Sequence, residues 1–211
     1  MPNKSFHNDV FDKGLEQVSN SANWGGGVLN MVLCAGNPAS AAAAAAIWPG
    51  GNRVSDVIAM AGGDFTLADK AGGGREVTVG AKSGTAQVSV PSISSGTATS
   101  GTGTTLADTG QSWGANAHAN KVVKITGGTG SGQTRLIASN TATVLTVGTA
   151  WGTNPDATSV YEIREDLHVV FYDAGATPRL MIVTDETSDQ VITNANPINI
   201  PTFKFGFNDP V

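Results

Sequence analysis

Charge is what this chain has least of. Asp, Glu, Lys and Arg make up 14% of its 211 residues, against about 25% in ordinary soluble domains. The 12 basic residues form no patch along the sequence and the net charge is −5, which argues against a nucleic-acid partner, because binding by counterion release needs clustered Lys and Arg. Cysteine is nearly absent too. Cys34 stands alone, so no intrachain disulfide can form, and its place inside the apolar run 28–35 points to a buried, inert thiol. Long hydrophobic runs are missing: the longest, 41–48, is too short to cross a bilayer. Residues 1–8 are polar and lack the charged-then-apolar pattern of a signal peptide, so no membrane partner is expected.

What fills the space is glycine, at 27 residues, with much Thr, Ser and Ala. A surface poor in charge and rich in small side chains suits a protein packed into an assembly, and equally a glycine-rich soluble β domain. The clearest unit is the stretch 102–163. Within it, 122–125, 134–138, 143–147 and 160–163 are short runs rich in Val, Ile, Leu and Thr, separated by Gly, Asn, Ser and Pro, the pattern of a β-meander. The gap 127–132 supplies glycines for positive-φ positions, and Asn140 suits a left-handed position in the gap 139–142. Trp113 and Trp151 lie just before the first of these strands and just after the third, where two large rings can close the ends of a small core.

Around this unit, Phe11, Leu15 and Val18 recur at helical spacing, predicting a short amphipathic helix over 6–18. A buried strand is expected over 28–35, and one or two helical turns over 41–46 behind Ser40 as N-cap. Further strands are expected over 53–61, 75–81, 87–90, 167–172, 180–183 and 199–205, with a glycine-rich loop at 62–65. The segments 96–99 and 167–170 read as one interrupted strand region, and insertions are tolerated at exposed turns. The resulting organisation is a discontinuous outer β domain, 1–99 plus 167–211, with an inserted all-β module at 100–166. The fold class is mainly β: an antiparallel sandwich or barrel-like outer domain with a short N-terminal helix, plus the module.

The outer segments DVIAMAGGDFTLAD, GGGREVTVGAK, GTAT joined to LHVVFYD, and LMIVTDETSDQVITNANPINIPTFKFGFNDP resemble a family of small structural proteins of tailed bacteriophages. The inner TLADTGQSW, VKITGGTGSGQTRLIASNTATVLTV and AW are similar to a short β module that recurs in phage virion proteins. Together the two resemblances cover nearly the whole chain. They imply a non-enzymatic virion protein, first a capsid decoration or cement protein that binds the assembled head, and second a tail or fibre component. The expected partners are the major capsid protein and copies of the chain itself as a homotrimer, with host surface glycan as a lesser alternative. The expected location is the head surface of the virion, after synthesis in the bacterial cytoplasm. The resemblance carries over no catalytic residue.

The residues themselves offer little chemistry. GGTGSGQT at 127–134 comes close to the phosphate-binding loop, but Gln133 stands where the lysine belongs and the following segment is β-like, so a hairpin turn is the better reading. His7, His118 and His168 have no zinc-ligand spacing. Asp185, Glu186 and Asp189 form an acidic loop that reads as a solvated turn, with weak calcium binding the alternative. No nucleophile elbow is present. Trp24, Trp48, Trp113 and Trp151 are expected as core or interface anchors, and as a sugar-stacking surface only if several are exposed together. No catalytic, cofactor or metal residue is assigned. The candidate interface is the apolar face of the N-terminal helix, Phe6, Phe11, Leu15 and Val18, which covers the chain's own sheet or reaches a neighbouring subunit or the capsid floor.

Overall fold

A computed structural model describes residues 29–69, 75–173, 179–185 and 191–207. The helix expected over 6–18, with Phe6, Phe11, Leu15 and Val18, lies outside them, as do His7, Trp24, Glu186 and Asp189. The described chain is mainly β with antiparallel sheets and one short helix.

The centre of the outer part is β1, Leu29–Ala35, all seven of whose residues are buried. It pairs along its full length with β13, Leu167–Asp173. β13 pairs in turn with β14, Arg179–Asp185, and the two-residue β2, Ile58–Ala59, completes a four-stranded sheet on the other side of β1. Period-two alternation divides the side chains of the central pair between two cores. Leu29, Met31, Leu33, Ala35, Leu167, Val169 and Phe171 enter one of them. Val32, Cys34, Val170 and Tyr172 enter the other. Burial on both sides explains why 29–35 and 167–172 are mostly apolar, interrupted only by Asn30 and His168, rather than alternating with a wet face.

The first core is closed by two smaller antiparallel sheets. One is β3, Phe65–Asp69, with β4, Arg75–Val79, and β16, Phe203–Phe207. The other is β5, Lys82–Thr85, with β15, Pro197–Ile200. Phe65 and Phe203 flank Phe171 with ring centroids 6.2 and 6.1 Å away, and Val79, Ile198 and Ile200 complete a sandwich-like arrangement. The second core is roofed by α1, Ala41–Ala45, whose Ala41 and Ala44 face inward. Ser40 caps it, accepting the amide proton of Ala43 at 3.1 Å.

The remaining strands form one seven-stranded sheet: β6 (Ser94–Thr97), β7 (Ser100–Thr102), β8 (Thr105–Ala107), β9 (Lys121–Gly127), β10 (Thr134–Asn140), β11 (Val144–Val147) and β12 (Val160–Glu165). Their spatial order is β6-β12-β9-β10-β11-β8-β7. The two ends of that order are consecutive in the chain, separated only by Ala98 and Thr99, so one run of backbone supplies both edges and the sheet closes into a ring. Ala98 donates to Ser159 O on the β12 side and Thr99 to Ala107 O on the β8 side, each at 2.8 Å or less. Leu106, Val123, Ile125, Ile137, Leu145, Val147, Tyr161 and Ile163 fill the interior.

Several expected strands take other forms. Over 53–61 there is β2 and otherwise isolated bridges, because the Ser55 hydroxyl takes the Leu33 amide proton at 2.9 Å in place of a ladder carbonyl. Residues 87–90 hold single bonds, Gln87 N–H to Val54 O and Val90 N–H to Ile192 O, instead of a ladder. The run 199–205 is divided between β15 and β16 at Pro201, which has no amide proton to donate. Phe65, expected in a loop, opens β3.

Candidate functional site

The closed ring has a proximal end, where the chain passes to and from the outer sheets, and a distal end. At the proximal end β12 runs into β13 with only Asp166 between them. Alongside, Ile93 N–H donates to Ile163 O at 2.8 Å, and Arg164 spans the junction, with its Nη1 on Val90 O at 3.2 Å while its Nε and Nη2 hold both Glu162 oxygens. Gly36 N–H donates to Asp166 O at 2.7 Å, and the His168 Nε2 lies 3.5 Å from Asp166 Oδ2. Lys121 on β9 pairs with Glu165 on β12.

Above the junction lies the most developed polar constellation of the described residues. The Tyr161 hydroxyl, fully buried, donates to Asp108 Oδ2 at 2.7 Å. Gln111 Nε2 donates to the same oxygen at 3.1 Å and Gly110 N–H to Oδ1 at 3.0 Å. Burial alone pushes the Asp108 carboxyl up, but these donors outweigh it and hold the group below its ordinary value. Burial, then the Asp108 charge, raises the Tyr161 hydroxyl. The result is an ionised acceptor with three donors inside a β ring, an arrangement that fixes geometry and offers neither a nucleophile nor a base open to substrate.

Trp113 lies beside this group, 6.3 Å from the Tyr161 ring and tilted by 75°, and its indole N–H donates to Ser94 Oγ at 3.2 Å. On its other side the His118 ring meets it at 5.3 Å and 90°. Residues 114–120 make successive turns, with Asn116 and Asn120 at φ 56° and 60°. Asn140 pins them: its Oδ1 accepts from His118 N at 2.8 Å and its Nδ2 donates to Gly114 O and Thr141 O, each at 2.8 Å. The expected left-handed Asn140 is thus a strand residue at the end of β10, and the asparagines at positive φ are Asn116 and Asn120 in the loop before β9.

At the distal end the near-phosphate loop is a hairpin turn between β9 and β10, with Gly128, Gly130 and Gly132 at positive φ. Gln133, in the lysine's place, clamps that turn to the next loop: Nε2 donates to Gly130 O and Thr153 O, and Oε1 accepts from Gly152 N and Thr153 N. Side-chain to backbone bonds of this kind have no periodic signature, so the sequence singles out Gln133 and Asn140 for other reasons and gives no sign of their clamping roles.

The other singled-out residues find ordinary places. Trp151 is 5% exposed in the ring core under the Arg135 guanidinium, Trp113 packs against the same core, and Trp48 packs on the outer one. These three therefore present no shared stacking face. Cys34 is fully buried, and burial, slightly offset by Arg53, pushes its thiol up to about 12. Among the described residues no group of three or more His, Cys, Asp or Glu is placed to hold a metal ion, and no helix is long and apolar enough to cross a membrane. No family model, curated protein or solved structure matches the chain.

Proposed function

We propose that this chain is a non-enzymatic structural protein of a tailed-bacteriophage virion, a decoration protein that binds the assembled head and stabilises it. The observation that carries this reading is the contrast between its two β assemblies. Among the described residues the ring's two end strands run into one another through Ala98 and Thr99, whereas the outer sheets end in β14 and β2, β16 and β3, and β15 and β5, the last bonded at Thr85 to Asp56. Open edges are where a sheet can accept another chain, so the outer part is the portion suited to pair with the shell or with further copies, and the ring projects as an inserted module. A low charge and the resemblance of both parts to phage virion proteins support the same conclusion. A protein that binds only the assembled shell favours that state by mass action, and contacts repeated over a symmetric lattice add through multivalency. The copies are proposed to associate as a homotrimer.

The experiment is to separate purified particles into heads and tails and quantify the chain against the major capsid protein by mass spectrometry. A copy number near that of the capsid protein on heads is expected, with earlier bursting on heating when the chain is removed. A few copies confined to tails would overturn the reading. They would favour the alternative of a host-contacting tail component, for which the Gln133-clamped distal loops would be the contact surface.

A further inference from the structure

His118 presents a buried imidazole that the fold does not satisfy. The residue is 6% exposed, yet neither ring nitrogen has a hydrogen-bond partner. Its backbone is well held, by Asn140 Oδ1 on its N–H and by Lys121 N–H on its C=O, so the ring is delivered to this place by the loop rather than drawn there by a bond of its own. A neutral imidazole always carries one N–H and one acceptor nitrogen. Leaving both unpaired is tolerable for the neutral ring against Trp113. It is far worse for the imidazolium, which buries a charge and two unpaired donors. The groups that bear on the ring are Lys121, which opposes a positive charge, and Glu165 on β12, which favours one but is already paired with Lys121. Burial and then Lys121 accordingly hold the imidazole below its ordinary value.

We propose that the loop 114–120 is an acid-sensitive latch on the proximal end of the ring, released when His118 takes up a proton. The protonated ring leaves its place beside Trp113 and reaches water, and the turns pinned by Asn140 loosen with it. The sign follows from linkage. The folded group titrates below the unfolded one, so its contribution is complete above the unfolded value of about 6.5 and is lost as pH falls from there through the folded value. What opens is the wall next to the junction, because Trp113 also bonds Ser94 on β6 and Lys121 begins β9.

The test is hydrogen exchange by mass spectrometry on the full chain at about pH 7.5 and about pH 5, corrected for intrinsic exchange chemistry. Peptides covering β9 and β10 are expected to lose protection at the lower pH while β1 does not, and His118→Phe is expected to abolish that loss. Equal loss in the variant, or no loss in the wild type, overturns the proposal. Should H118F fail to fold, the ring resonances of wild-type His118 are followed by NMR, with H7Q and H168Q used for assignment. Titration below the free-histidine value supports the latch, whereas titration at or above it, as an imidazolium held on the face of Trp113 would show, overturns it.

Discussion

Gly96 has no room for a side chain. A Cβ there would stand 2.4 Å from Asp108 Oδ2 and 2.8 Å from the Tyr161 hydroxyl, wedging apart the shortest bond of the buried constellation. Gly96→Ala is expected to cost about 1–3 kcal/mol, the usual penalty for overpacking, read as a lowered midpoint in urea. Tyr161→Phe tests the same bond from the other side. It leaves Asp108 short of one donor, at a cost of about 1–3 kcal/mol at neutral pH. The Asp108 carboxyl titrates below its ordinary value in the fold, so its contribution is present above the unfolded value of about 3.9 and disappears as pH falls through the lower, folded one. The variant is therefore expected to show a weaker loss of stability across that acid range than the wild type, and an identical pH profile would contradict the assignment. None of this was visible in the sequence, where Asp108 and Tyr161 are 53 residues apart and Gly96 is one glycine among 27.

The elements divide according to what holds them. β9, β11, β12 and β13 were legible because they bury Val, Ile, Leu and Tyr, and burial leaves a pattern. β6, β7 and β5, with sequences SSGT, SGT and KSGT, bury almost nothing. Their ladders are made by main chain alone, so composition cannot distinguish them from loops. The first of them, β6, pairs with β12 from Ser94 onward and brings residues before 100 into the ring sheet. Ring closure was illegible for the same reason, since it rests on pairing between distant, weakly patterned segments. The reverse error occurred at 53–61, where suitable residues lost their ladder to the Ser55 hydroxyl. At the distal hairpin, Gln133→Ala removes four bonds to two loops at once, and the freed amides of Gly152 and Thr153 turn to solvent. Faster hydrogen exchange over 128–133 and 151–153 is expected, with β1 and β13 unchanged; unaltered exchange would show that the glycine turn holds itself.

At the scale of the whole molecule, the ring has its own filled core and its own polar constellation, all drawn from residues 92–166. Expressed alone, that segment is expected to give a cooperative thermal transition and dispersed amide resonances, whereas a collapsed or unfolded spectrum would mean that the outer sheets are needed to close it. The two ends of the segment leave the ring as hydrogen-bonded neighbours, Ser94 opposite Ile163 in the β6–β12 register. The outer sheets thus meet the ring through two adjacent antiparallel strands, about 5 Å apart, the same separation that a two-residue turn would bridge. What lies between those two strands can therefore differ in length without changing the spacing at which the outer sheets must hold them.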